Sequence, residues 1–105
     1  MIKPTVGRVV WYWPHKDDHQ IVKGGDQPLA AFVSHVWNDT CVNLAVFDAN
    51  GVAFSRTSVL LVQEGNPVPD SNFAEWIPYQ IGQAKKHEPK IEPDTQSEFP
   101  FLVQK

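Results

Sequence analysis

The sequence predicts an all-β domain, and three observations lead to this prediction. β-branched and aromatic residues alternate with polar ones from residue 29 to 62, which is typical of strands. This stretch is interrupted at residues 37–40 and 48–51, where Asx residues and a glycine indicate hairpin turns. A further β-rich run covers residues 5–13, so that four strands are available to close a small barrel.

The architecture that we expect is a small SH3-like antiparallel barrel or meander. Its first strand, residues 5–13, lies between Pro4 and Pro14 and is apolar on both faces. The second face of such a strand needs a cover, for which the C-terminal segment and a second subunit are the two alternatives. A long polar loop follows over residues 14–28, with Ile21 and Val22 as a short strand inside it.

The chain changes character after Val62. Residues 64–72 are rich in turn formers and predict an extended surface passage. Residues 73–79 predict a last short strand or a docked extended segment, and residues 80–86 one or two helical turns weakened by Gly82. We therefore expect a barrel domain over residues 1–86 and a flexible tail over residues 87–105. The apolar end of this tail should dock on its own domain, on a neighbouring subunit or on a partner.

Length and charge limit the classes of function. A chain of 105 residues is long enough for one domain with a modest core. A net charge of −3 argues against general nucleic-acid binding, which needs clustered lysines and arginines. It leaves room for a local basic pocket, and Arg8 and Arg56 are the two arginines that could form one.

Cysteine usage and hydropathy favour an intracellular protein. Cys41 is the single cysteine, so an intrachain disulfide is excluded, and its apolar surroundings predict a buried structural thiol. No run of residues has the length and apolarity of a membrane span, and the N-terminus has no signal-peptide pattern.

Catalytic and metal-binding patterns are weak. His15 and His19 are four residues apart with carboxylates between them, but Pro14 and two glycines bound this segment and favour a solvated loop over a metal site. His35, with Asp39 or Asp48 as a partner, could serve as an acid or base, although a strand histidine satisfied by its neighbours is commoner. The sequence therefore predicts a non-enzymatic protein without a metal or cofactor.

One set of polar and aromatic residues does predict a ligand site. An arginine offers a planar fork for phosphate or carboxylate, neighbouring hydroxyls add donors, and aromatic rings stack on a base or grip a peptide. The alternative is that Trp76 and Tyr79 belong to the core while Arg56 makes a surface ion pair. The candidate ligand-binding residues are Trp37, Asn38, Asp39, Ser55, Arg56, Thr57, Trp76 and Tyr79.

Four tryptophans exceed what the core of so short a chain easily absorbs. The excess either lines a recognition surface or mediates self-association. The candidate residues for contact with a partner are Trp11, Trp13, Phe99, Phe101 and Leu102.

Four segments of the chain resemble a family of small phage and prophage proteins: PTVGRVV (4–10), VNLAVFDANG (42–51), SRTSV (55–59) and AEWIPYQ (74–80). The resemblance covers most of residues 4–86, and the tail has no counterpart in it. It implies a phage genome and the host cytoplasm, but the family has no established activity and hence implies no catalytic residues. Small non-enzymatic phage proteins often antagonise host defence. By analogy with such proteins, and not from its own residues, this chain is expected to do the same.

Two hypotheses of function follow. The first is a phage-encoded module that captures a nucleotide-like signalling molecule, with aromatic rings on the base and Arg56, Ser55 and Thr57 on phosphate. The second is a protein–protein interaction module, either a virion component or an inhibitor of a host protein, in which Trp11, Trp13 and residues 99–103 supply the contact area.

Overall fold

The computed structural model describes residues 1–86. These residues form a closed barrel of five strands, taken in the spatial order β1-β2-β3-β4-β5, followed by one helix. The prediction of a small all-β barrel is therefore confirmed. The elements are β1 (Val9–Trp13), β2 (Leu29–Asn38), β3 (Cys41–Phe47), β4 (Ala53–Val62), β5 (Phe73–Glu75) and α1 (Pro78–Lys86).

Strands β1 to β4 pair antiparallel with their neighbours along the chain, as in the predicted meander. The three-residue strand β5 closes the barrel, and its central residue Ala74 lies opposite Tyr12 of β1 in an antiparallel register. On its other side β5 runs parallel to β4, with Ala74 opposite Leu61. One of the five pairings thus departs from the antiparallel expectation, because β5 returns to the sheet after a connection instead of a hairpin.

The core occupies the inside of the barrel and comes from alternate residues of each strand. In β3, for example, Val42, Leu44 and Val46 are buried while the residues between them are half-buried. Trp76, just after β5, belongs to the same core. The other buried apolar residues are Val10, Tyr12, Ile21, Leu29, Ala31, Val33, Val59, Leu61 and Ala74.

Side chains of the turn residues hold both hairpins. Asn38 accepts hydrogen bonds at Oδ1 from the backbone N–H and hydroxyl of Thr40, at 2.9 and 3.1 Å. Asp48 accepts at Oδ1 from the N–H groups of Asn50 and Val52, at 2.8 and 2.9 Å, and Gly51 takes the positive φ of 83°. These are Asx-type turns, which explains why the sequence showed them so clearly.

Three segments differ from the expectation. Regular strand pairing in β1 starts at Val9, because residues 6–7 form a turn in which Gly7 has a φ of 97°. Ile21 and Val22 are not a strand, although Ile21 is buried in the core and the carbonyl of Val22 accepts a hydrogen bond from Ala49 at 2.9 Å. The helix begins at Pro78, because proline has the φ of a first helical residue and lacks the N–H that would remain unpaired there.

Several expectations fall on residues 87–105, which lie outside the described residues. They include the flexible tail and its partner-contact candidates Phe99, Phe101 and Leu102. Within the part of the chain that the structure describes, no helix has the length and apolarity needed to cross a membrane. Cys41, which we expected to be buried, is half-buried, because it has the strand parity opposite to Val42 and Leu44.

Strand β4 contains a strained residue, which gives a first testable prediction. Ser58 has a φ of 53°, in the left-handed region, and its N–H donates to Asn43 Oδ1 at 2.8 Å. A β-branched side chain is poorly tolerated in that region, so we expect Ser58→Val to lower the free energy of unfolding by about 1–2 kcal/mol. Urea denaturation measures the change. The matched control Thr57→Val, at an exposed neighbour, should stay within about 0.5 kcal/mol, and equal effects of the two variants would contradict the prediction.

Candidate functional site

The structure does not bring the predicted ligand-binding residues together into one cleft. Arg56 lies on the inner side of β4, opposite Leu44 of β3, and its side chain is engaged by the loop between β1 and β2. Ser55 and Thr57 are the exposed residues on either side of it. Because neighbouring residues of a strand point to opposite faces, these hydroxyls and the guanidinium of Arg56 are directed apart.

Every nitrogen of the Arg56 guanidinium already donates a hydrogen bond. Nε and Nη2 donate to the carboxylate of Asp18, at 3.2 and 2.9 Å to Oδ2. Nη2 also donates to Gln20 Oε1 at 2.9 Å, and Nη1 donates to the carbonyl of Ser55 at 2.6 Å. We call this group the Arg56–Asp18 clasp. The predicted role of Arg56 in holding phosphate is therefore corrected: this fork holds the loop of residues 14–28 against the barrel.

The clasp also affects the acidity of its carboxyl group. Burial of Asp18 by itself raises its pKa, but the hydrogen bonds from Arg56 and from the backbone of Gln20, together with the positive charges of Arg56 and Lys23, outweigh burial. The pKa of Asp18 is consequently lowered from its ordinary value. The carboxylate is thus ionised when it accepts the hydrogen bonds from Arg56.

Trp37, Asn38 and Asp39 lie at the hairpin between β2 and β3. Trp37 is exposed, and its indole Nε1 donates to Asn43 Oδ1 at 2.9 Å while the ring contacts His35 edge-on. Asn38 shapes the turn, and Asp39 forms an ion pair with Lys3 at 3.7 Å. Asn38 and Asp39 thus have structural roles at this hairpin, where the side chain of Trp37 is 59% exposed.

Trp76 and Tyr79 have opposite surroundings, although three positions separate them. Trp76 is buried, and its Nε1 donates to Oε1 of the equally buried Gln63 at 3.2 Å. Tyr79 is 71% exposed, in the first turn of α1. The alternative interpretation of these residues is therefore correct for Trp76 and wrong for Tyr79. Arg56 does form an ion pair, but the pair is largely shielded and not at the surface.

The other arginine of the chain lies beside Tyr79 in a pocket. We call it the Arg8 pocket; it has a volume of about 360 Å³ and is lined by Ile2, Arg8, Tyr79, Gln80, Gln83 and Ala84. Arg8 is exposed, and its guanidinium carbon lies 5.8 Å from the centre of the Trp76 ring. Its side chain forms no ion pair among residues 1–86. Arg8, unlike Arg56, is thus available to an anion.

Backbone contacts hold Arg8 in place. The N–H of Gly7 donates to the carbonyl of Val33 at 2.8 Å, and the N–H of Val33 donates to the carbonyl of Arg8 at the same distance. These bonds extend the pairing of β1 and β2 to the edge of the barrel. The indole of Trp76 then orients the guanidinium through a cation–π contact.

Gln80 places helix α1, and with it Tyr79, beside Arg8. Its Oε1 accepts a hydrogen bond from the N–H of Ile77 at 3.1 Å, which is half of a capping box at the start of the helix. Its Nε2 donates to the carbonyl of Val9 at 2.9 Å and thereby joins the helix to β1. At the other end of α1, Lys85 forms an ion pair with Glu64 at 2.8 Å. Both ends of the helix are thus attached to the barrel.

The chemistry of the pocket is that of recognition. Its residues offer a guanidinium, a phenol, two amides and two aliphatic groups, with no carboxylate, imidazole or thiol among the six. A guanidinium recognises phosphate or carboxylate, and an exposed phenol ring stacks on a planar group. Sequence reasoning had singled out Arg8 and Tyr79 separately. It missed Gln80 and Gln83, because a glutamine in a short helix does not by itself indicate a binding site.

His15 and His19 remain in the loop of residues 14–28. The Nδ1 atom of His15 accepts a hydrogen bond from the backbone N–H of Asp17 at 3.0 Å. Among residues 1–86, no three histidine, cysteine or acidic side chains are grouped so that they could hold a metal ion. The expectation that the protein contains no metal stays a prediction.

A second candidate surface lies on the outside of the barrel, where Trp11 and Trp13 are half-buried. We call it the apolar strip; it crosses β1 to β4 and consists of Val9, Trp11, Ala30, Phe32, Ala45, Phe47 and Ala53. Phe32, 44% exposed, contacts Phe47 edge-on at 5.7 Å. At one end of the strip the ring of Trp13 stacks on Phe73, and its Nε1 donates to Glu75 at 2.6 Å. Trp11 and Trp13 are therefore placed where a partner can reach them.

Comparisons of the chain with protein-family models, with curated proteins and with solved structures found no match.

Proposed function

We propose that this domain is a non-enzymatic binding module that captures a small anionic molecule carrying a planar ring, such as a nucleotide, in the Arg8 pocket. The observation that supports the proposal is the guanidinium of Arg8, which lies exposed in a pocket without an ionic partner among the described residues. Arg56 has the same chemistry but is occupied by Asp18. The contrast favours Arg8 as the anion-binding group.

The fork of Arg8 matches a phosphate or carboxylate. A guanidinium donates two parallel hydrogen bonds to such a group, and each charge-assisted bond contributes about 1.5–3 kcal/mol. The contact with the Trp76 ring restricts the Arg8 side chain before a ligand arrives, which reduces the entropy lost on binding.

Tyr79 and Gln83 suit the planar part of the ligand. The phenol ring of Tyr79 is exposed beside the pocket and can stack on a base, an interaction that contributes about 1–3 kcal/mol. The half-buried amide of Gln83 has both donors and acceptors for the edge of a base. The volume of about 360 Å³ is in the lower part of the range found for small-molecule sites.

Such a module acts by stoichiometric capture. In the setting implied by the resemblance to phage proteins, removal of a signalling nucleotide would antagonise a host defence in the host cytoplasm. For this role the dissociation constant of the complex must lie below the concentration of the signalling molecule, and no turnover is needed.

Calorimetric titration tests the proposal. We expect one or more members of a panel of AMP, ADP-ribose and cyclic dinucleotides to bind the full chain, and Arg8→Ala to weaken that binding by about 10- to 100-fold. Tyr79→Ala should weaken it by about 5- to 100-fold through the loss of stacking. Arg56→Ala, measured at a temperature at which the variant is folded, is the matched control and should bind as the unmodified chain does.

The outcomes separate the two arginines. If no member of the panel releases or absorbs heat on mixing, the proposal of nucleotide capture fails. If Arg56→Ala loses binding and Arg8→Ala retains it, the anion-binding group is Arg56 on β4 and the proposal for the Arg8 pocket is wrong.

A second candidate function is protein–protein interaction, and the apolar strip favours it. A barrel strand with one solvated face normally carries polar residues on that face. Here Trp11, Phe32 and Phe47 occupy the outer face of three neighbouring strands. Partner recognition through a few aromatic residues is common at protein interfaces.

A further inference from the structure

We propose that the apolar strip is the self-association surface of this protein and that its partner is a second copy of the chain. This inference names the partner for the second candidate function and is independent of the Arg8 pocket, which lies at the end of the barrel beside α1. Two properties of the strip favour a second copy over another occupant, and its area determines how strong an association we expect.

The first property is the absence of charge. Each of the seven residues of the strip is apolar, and Glu75, beside Trp11 in the barrel, is the nearest charged residue in the strand register. In a twofold dimer the same patch meets itself, so a charged patch would oppose like charges. The whole chain has a net charge of −3, and the carboxylate of Glu75, which accepts a hydrogen bond from Trp13 at 2.6 Å, lies at the edge of the strip and not within it.

The second property is the alternation of large and small residues. The register sets Trp11 opposite Ala30 and Phe32 opposite Ala45, and Phe47 opposite Ala53 on β4. Every ring therefore has an alanine beside it on the next strand. A surface on which rings alternate with alanines can interdigitate with its own copy, as the inner faces of packed sheets do at a spacing of about 10 Å.

The area of the strip determines the expected strength of association. Four strands at about 4.8 Å spacing and side chains of aromatic size give a patch of a few hundred Å². A standard interface buries about 800 Å² on each partner. The strip together with its rim of Trp13 and Phe73 falls below that area, so we expect a dimer with a dissociation constant in the micromolar range.

Sedimentation velocity of the full chain between about 1 and 500 µM tests the inference. We expect the weight-average mass to rise from monomer to dimer across this range. Phe32→Glu, at an exposed position, should raise the dissociation constant at least about tenfold. Val68→Glu, at a residue 60% exposed outside the strip, is the matched control and should associate as the unmodified chain does.

Two further variants test the inference if Phe32→Glu impairs folding or if the chain associates through its tail. Ala53→Lys changes an exposed residue at the edge of the strip and should weaken association even if Phe32→Glu impairs folding. Phe101→Glu tests the apolar end of the tail. A chain that stays monomeric at all concentrations overturns the inference. So does unchanged association in folded Phe32→Glu and Ala53→Lys, or association that Phe101→Glu abolishes and Phe32→Glu leaves intact.

Discussion

Replacing Gln63 with leucine is expected to lower the free energy of unfolding by about 3 kcal/mol or more. Gln63 is 2% exposed, and its amide joins three distant parts of the chain. Its Oε1 accepts from the N–H of Ile2 and from Trp76 Nε1, both at 3.2 Å. Its Nε2 donates to the carbonyls of Ile2 and Asp39, at 2.9 and 2.8 Å.

Leucine has nearly the same size but cannot form any of these bonds. The replacement would leave the buried indole N–H of Trp76 and three partly buried backbone groups of Ile2 and Asp39 without their partner. Each such group costs about 1–3 kcal/mol where it is buried and water does not reach it. For a domain of this size, a loss of 3 kcal/mol corresponds to a fall in Tm of about 12–24 °C.

Thermal and urea unfolding measure this effect. Gln83→Leu is a matched control, since Gln83 is half-buried on α1 and forms no side-chain hydrogen bond within residues 1–86. We expect the control to change the free energy of unfolding by less than about 1 kcal/mol. A loss of under 1 kcal/mol in Gln63→Leu would show that water replaces the amide at little cost.

Replacing Asp18 with alanine is expected to lower the free energy of unfolding by about 2 kcal/mol. The Arg56 and Asp18 side chains are only 19% and 16% exposed, so the variant leaves a guanidinium without its carboxylate in a shielded position. The loop of residues 14–28 would also lose its attachment to β4, next to the buried side chain of Ile21. Asp17→Ala removes the adjacent, 72% exposed carboxylate and should have little effect.

The contribution of Asp18 is also expected to depend on pH. Because the folded-state pKa of Asp18 is lowered, folding favours the ionised carboxyl. This stability is fully present above the unfolded pKa of about 3.9 and is lost as the pH falls through the folded pKa. We therefore expect the stability difference between Asp18→Asn and the unmodified chain to be constant near neutral pH and to shrink below about pH 4. A difference that stays unchanged at about pH 2–3 would contradict this assignment.

Local chemistry explains which parts of the fold were predictable. The hairpins around Asn38 and Asp48 depend on side chains within four residues of the turn, so the sequence displays them directly. The closure of the barrel, in contrast, does not depend on residues that are close together in the sequence. Strand β5 has three residues, and its pairing with both β1 and β4 depends on contacts between distant parts of the chain. A segment so short gives no register signal of its own.

The two arginines show that the candidate site, too, depends on contacts between residues that are distant in the sequence. Arg8 and Arg56 look equivalent in the sequence, each in or beside a β-rich run. What separates them is Asp18, 38 positions from Arg56 in a loop whose sequence predicted only solvated polar residues. The role of Tyr79 in binding stays a prediction, and the structure shows its side chain 71% exposed beside the Arg8 pocket. Its neighbour Trp76 could not be assigned to the core, because its burial requires the amide of Gln63 as an indole partner.

The pairing of β5 with β1 has a thermodynamic consequence for any molecule held in the Arg8 pocket. Arg8 precedes β1 and Tyr79 follows β5, so the pairing of these strands and the hydrogen bond from Gln80 to Val9 together keep the two side chains side by side. A molecule that touches both binds the closed barrel and not an opened one. At a free concentration about 100-fold above its Kd, it adds about 2.7 kcal/mol to the stability of the closed form. Occupancy would then protect the protein against proteolysis, and the lifetime of the protein in a cell would rise with the supply of its own target.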